Sequence, residues 1–388
     1  MALRLLAVLT VAAQWLAVPA VAADVVVGFV GDLSGVGANV AQDQLDGFRL
    51  GIKHLGGRLG GNDINLVVAD SRRDGRTAHQ AMERMQQVER VQVVLVSSEA
   101  AVVPSLLPLA IAGKAIMISL SPPLPSLAGK DCSSSFFSLA GLVETMHDLG
   151  GQYLQQRGYK HVVFVGPDNA ATQNAAAMVR RGFKGQVTMI ASPRGAMDFT
   201  KSLRAIREAA PDAIYLLHTG GMAVNFVRQM VDFLGKDHPP LFGPATTLDQ
   251  PFLAAFGPAI SDAWSVAPWS EDFDVPTSRR VLTDFESDYG RPASFSAMVG
   301  YDAAMLLDVA FRSVDKKVND MESLRGALKR VEFPSTRGSF RFDTNQFPIQ
   351  SYVARQVISD PRERMVNEQR GMFQKDVRDG HAGECPLR

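Results

Sequence analysis

Several kinds of residue pattern are scarce in this chain, and each scarcity narrows what it can do. Forty Lys and Arg residues cancel forty Asp and Glu residues, and neither sign runs in blocks. No basic stripe is available for nucleic acid. The seven histidines are scattered with no His-x-x-x-His spacing, and the Asp70 and Asp74 region lacks the glycine and distal glutamate of a calcium loop. Neither a metal nor a cofactor is expected. There is no Gly-x-Ser-x-Gly elbow and no evident nucleophile–base pair, so hydrolysis has no carrier and an enzyme is not expected. Beyond the N-terminus no stretch reaches the roughly 18 uncharged apolar residues that a membrane-spanning helix needs.

Only two cysteines occur, Cys132 and Cys385. Neither has enough nearby ligands for a metal site, which leaves one disulfide or two free thiols. The disulfide is favoured because the first 23 residues read as a secretory signal peptide: Arg4, an apolar run from Leu5 to Val18, then Val21-Ala22-Ala23. A periplasmic location follows, with Asp24 opening the mature chain. About 365 residues then remain of the 388, too many for one ordinary core, so two lobes are expected.

What the chain does have begins at Val25–Gly57. Val25 to Val30 reads as a buried strand, and a loop follows with Gly31, Gly35 and Gly37. Leu45, Phe48, Ile52 and Leu55 then recur at helical spacing, until Gly56 and Gly57 stop the helix. A continuous apolar strand leading through a loop into a helix implies a parallel sheet covered on both faces. Ligands of such sheets sit at the carboxyl ends of the strands. For the loop itself, a dinucleotide fingerprint lacks its third glycine, since Val40 stands there, and Asp70 lies too far on for a ribose-binding acid. Two readings stay open: a polar loop whose N–H groups and Ser34 hydroxyl meet a small ligand, or a turn that needs glycine for its backbone angles.

The same plan repeats along the chain. Strands are expected at Ile64–Asp70, Val91–Val96 and Ala115–Leu120, and again at His161–Val165, Val187–Ala191, Ala213–Leu217, Leu241–Gly243 and Ala263–Pro268, with helices between most of them. Gly338–Phe342, Asp343–Gln346 and Gln350–Ile358 read as a hairpin. The polar stretch Arg362–Arg378 reads as a surface tail. The fold class is thus α/β, with two doubly wound parallel-sheet lobes.

This order of elements resembles the type I periplasmic solute-binding proteins of ABC importers, the leucine/isoleucine/valine-binding protein family. The resemblance rests on VGFVGDLSGVGANVAQDQLDGFRLGIKHLGG, LVVADSRRDGRTAHQAMERM, AIMISLSPP and YGRPASFSAMVGYDAAMLLDVA in that order. The closing RGSFRFDTNQF is similar to the family's hairpin, with Gln346 where glycine is usual. The resemblance implies two lobes hinged by three crossovers, near Ala140, Pro268 and Ser335, closing on a ligand in the cleft between them. Lobe one would be residues 24–140 plus 268–334, and lobe two residues 141–267 plus 335–388. It implies a small-molecule ligand and the permease subunits of an ABC transporter as partners, with membrane contact only through the permease. A periplasmic sensor working with a separate signalling partner is the alternative.

The family holds a ligand carboxylate with loops that correspond here to Ser97-Ser98-Glu99 and Ser119-Leu120-Ser121. In the second lobe the resemblance brings Ala171, Thr219 and Ala245 to positions where amino-acid binders use two aromatics and an acid. Without that acid an α-ammonium would be buried unpaired, at high cost. The expected ligand is therefore a carboxylate without an α-amino group, an aromatic one among the options, with Trp269 and Tyr301 stacking against it. The competing account lets Glu99 replace the missing acid. His218, at a strand end, reads equally as a pocket group or as a structural histidine.

Overall fold

The computed structural model describes residues 25–387 apart from Val36, Lys236 and Lys316, so the expected signal peptide lies outside the described residues. Val25–Gly31 is buried almost throughout, as its β-branched run requires, and it pairs in parallel on both sides. Its neighbours are Asn62–Asp70 and Val93–Ser97. The six-stranded sheet continues outward through Ile116–Ser119 to Phe136–Ser138, and through a short antiparallel turn to Arg58–Leu59 at the other edge.

The helix Ala38–His54 covers one face of this sheet and packs closely on the helix Phe295–Val314. Glycine sets the approach: a Cβ at Gly47 would lie 2.0 Å from the Ala297 carbonyl oxygen, and one at Gly300 would lie 1.9 Å from the Gln44 carbonyl oxygen. Gly35 and Gly37 sit at φ +83° and +85°, so the loop after the first strand has the backbone angles that favour glycine.

The second sheet has parallel strands at its centre, in the spatial order Gln186–Ser192, His161–Pro167, Ala213–Leu216, Leu241–Phe242 and Trp264–Ala267. Pro348–Ser359 then adds antiparallel to Trp264–Ala267. The stretch read as a surface tail corrects that reading: Met365–Val377 is a strand paired antiparallel with Pro348–Ser359. Its polarity is that of a sheet edge, with Met365 and Asn367 turned inward and Arg370 outward.

The chain passes between the two layers three times. It leaves the first sheet after Ser138, and after Ala267 it returns to supply the helices Pro276–Tyr289, Phe295–Val314 and Met321–Lys329. These bury Val281, Phe285 and Leu306 in one core with Val25, Phe29 and Phe48. The last passage precedes Arg341. Cys132 and Cys385 form a disulfide, so a loop of the first sheet's layer is bonded to the segment that follows the last strand of the second. Among the described residues no helix is long and apolar enough to cross a membrane.

Candidate functional site

Because both sheets present the carboxyl ends of their parallel strands to the gap between the lobes, loops from the two halves meet there. They line a small chamber of about 70 Å³. From lobe one come Gln44 on the first helix, Leu120 to Pro122 after a strand, and Phe295, Ser296 and Val299 in the first turns of the long helix. Lobe two contributes Met146, Ala245, Thr246, Asp249 and Phe252, with Gln350 and Tyr352 from the long antiparallel strand. An outer cleft shares Val40, Ser121, Pro122 and Thr246 with the chamber and reaches Asp32, Arg73, Ser97, Ser98 and Glu99.

Internal hydrogen bonds fix the polar groups. Gln44 Nε2 donates to the Leu120 carbonyl at 2.8 Å, while its Oε1 accepts from the hydroxyls of Ser97 and Ser121. Gln350 Nε2 donates to the Tyr352 hydroxyl at 3.0 Å, and burial pushes that phenol up to about 12. Asp249 spans the gap. Its Oδ1 accepts from the backbone N–H of Gln250 at 3.0 Å, and from that of Phe295, on the other lobe, at 3.1 Å. Its Oδ2 accepts from the Ser296 hydroxyl at 3.3 Å. Burial raises the Asp249 carboxyl from its ordinary value, while the Arg355 charge and these hydrogen bonds pull it down. No Lys, Arg or His lines the chamber among the described residues, and Asp249 is its one carboxylate. No group of three or more His, Cys, Asp or Glu fit for a metal ion occurs among those residues.

Of the residues expected at the site, Ser121 and Ala245 line the chamber, while Ser97, Ser98 and Glu99 line the outer cleft beside Ser121. Ser98 faces the Ser71 hydroxyl at 3.1 Å. Glu99 is ion-paired with Arg73, and its backbone N–H donates to Asp32 at 2.9 Å. Ser119 is fully buried, and its hydroxyl donates to the Ser121 carbonyl at 2.7 Å.

With Ser119, six expected residues line neither space. Trp269 is buried and donates from Nε1 to Ser278 Oγ at 2.8 Å, so it packs in the core of lobe one instead of stacking in the cleft. Tyr301 belongs to the same core, with its hydroxyl 3.0 Å from His54 Nδ1, because its helix turns that face to the sheet. Ser34, Ala171 and Thr219 are exposed and line neither the chamber nor the outer cleft. His218 is fully buried against Phe199 and Phe226 and lines neither space.

The residues not anticipated are Gln44, Asp249, Gln350 and Tyr352. Gln44 stands beside Leu45 near the apolar stripe of its helix, where a buried amide calls for a partner. Asp249, followed by Gln250-Pro251, has the pattern of a helix cap. Ala245 thus brings no acid to the chamber, and an acid stands on its wall four residues later.

Two doubly wound lobes, joined by three passages and facing each other across a chamber, have the architecture of the cleft-binding class. The model of the periplasmic binding protein family matches residues 24–361, and the chain belongs to that family. Among solved structures it is similar to an ABC transporter solute-binding protein from R. palustris in complex with benzoate. That pair shares 24% identity over 94% of this chain and 99% of that one, with a TM-score of 0.83. Another solute-binding protein, from Rhodopseudomonas palustris in complex with 3,4-dihydroxybenzoic acid, is 21% identical over 92% and 98% of the two chains, at TM-score 0.82. A leucine-binding protein from Thermotoga maritima is 18% identical over 91% and 99%, at TM-score 0.75. No curated protein sequence matches the chain.

Proposed function

We propose that the protein is a periplasmic receptor that delivers a small aromatic carboxylate to the permease of an ABC importer and releases it unchanged. The observation that carries this reading is the lining of the chamber. Leu120, Met146, Phe252, Phe295, Val299 and Tyr352 make it predominantly apolar, and Ala245 leaves room at a position where amino-acid binders place an acid. Hydroxyls of Ser121 and Ser296 and the amides of Gln44 and Gln350 supply the polar contacts. Structural neighbours described as binding benzoate and 3,4-dihydroxybenzoic acid support the ligand class, and their description as ABC transporter proteins supports the partner.

One observation favours a second reading. Asp249 is a carboxylate on the chamber wall, and it could pair with the ammonium of an amino acid. Titration calorimetry separates the two. Tight binding of benzoate or its hydroxylated forms, with none for leucine, isoleucine or valine, is expected. Tight leucine binding with no aromatic-acid binding would replace this reading by the second.

A further inference from the structure

Resting on the aromatic-acid reading, we infer that Asp249 sets specificity within that class: its Oδ2 accepts a hydrogen bond from a ring hydroxyl, so the protein selects hydroxylated aromatic acids over bare benzoate.

The inference stands on geometry. Oδ1 of Asp249 is committed to two backbone N–H groups, one from each lobe, at 3.0 and 3.1 Å. These fix the carboxylate so that it cannot swing away from the chamber. Oδ2 receives one long bond, 3.3 Å from the Ser296 hydroxyl, and retains acceptor capacity. The residue is only 4% exposed, so a ring C–H placed against that oxygen would leave a buried acceptor unpaired. A ligand carboxylate has no hydrogen to donate to that oxygen, and no Lys, Arg or His of the lining would offset a second acid beside it. The ligand therefore turns its carboxylate toward the Ser121 side and its hydroxyl toward Asp249. Arg73, the nearest cation of the outer cleft, is already held by Glu99 and does not alter this orientation.

Calorimetry with benzoate and its 2-, 3- and 4-hydroxy derivatives tests the inference on the wild type and on Asp249→Asn. Asparagine keeps an oxygen for the two N–H groups and remains a good helix cap, but it turns a donor toward the chamber. At least one hydroxybenzoate should bind the wild type about tenfold or more tighter than benzoate. In Asp249→Asn that ratio should fall below about threefold, with benzoate binding improved. Equal binding of all four acids by the wild type overturns the inference whatever the variant does, as does a ratio that persists in Asp249→Asn. If none of the four acids binds a wild type that melts cooperatively, the aromatic-acid reading itself has failed, and the inference with it.

Discussion

Two arginines are buried where the chain passes between the lobes, and they are anchored differently. Arg337, in the last passage, makes a contact ion pair with Asp302: Nε donates to Oδ2 at 2.9 Å, and both side chains are almost fully buried. Asp302 also accepts from Ser335 Oγ, and from the backbone N–H and the hydroxyl of Thr336. Arg337 Nη1 donates to the Leu139 carbonyl in the first passage and to Gln350 Oε1 on the chamber wall. Arg355, behind the middle passage, donates to Ser265 Oγ and the Trp269 carbonyl, both neutral. The charges that influence it, Glu271, Asp249 and Asp272, act across space, and Glu271 Oε2 has no hydrogen-bond partner among the described residues. A contact pair with every carboxylate bond made welds two passages to the long helix. The third passage, next to the one carboxylate of the chamber, is held through neutral acceptors and separated charges instead.

The largest expected effect tests that contrast directly. Asp302→Ala leaves the Arg337 guanidinium buried without its counter-charge and should cost about 3–5 kcal/mol in chemical denaturation. Arg355→Ala should cost clearly less, since it breaks no contact pair. Equal losses would erase the distinction. Next in size is the disulfide, which reinforces the welded side by joining the loop before the first passage to the tail of lobe two. Replacing Cys132 and Cys385 together by serine should cost about 2–4 kcal/mol. A loss below about 1 kcal/mol would mean that the tail is already held by its other contacts, such as Asn345 Nδ2 to Asp379 and His381 to Glu144.

Much of the fold could be read from the residues because period and turn chemistry are local. The strand Val25–Gly31, its helix and the alternation that follows needed no tertiary information. Met365–Val377 was illegible because an edge strand carries the same charges as a solvated tail, and only its partner distinguishes the two. The site was half legible for a related reason. Ser121 and Ala245 follow strands, and strand ends face the cleft. Trp269 also follows a strand, yet its indole turns into the core, since a large ring gains more from burial there than from a wet cleft. Asp249 acts across the gap between lobes and Gln350 bonds to the last passage, so their partners, Phe295 and Arg337, are 46 and 13 positions away, and no local pattern announces them.

The smallest effect concerns Glu271, on the loosely anchored side. Burial pushes its carboxyl up to about 7 from an ordinary 4.5, with Arg355 and the Asn367 hydrogen bond opposing. Between those two values the folded protein holds a proton that the unfolded chain has lost, so stability must fall as pH rises through that range. The contribution is fully present below about pH 4.5 and is gone once pH has passed through about 7, a change of order 3 kcal/mol. Glu271→Gln keeps the acceptor for Asn367 Nδ2 and removes the titration, so it should be more stable than the wild type at pH 8 and close to it at pH 5. Urea denaturation of both proteins across that range reads the difference, in which the other titrating groups cancel. Parallel curves would show Glu271 to be ionised throughout and paired with Arg355 as firmly as Asp302 is with Arg337, and the middle passage would then be no looser than the others.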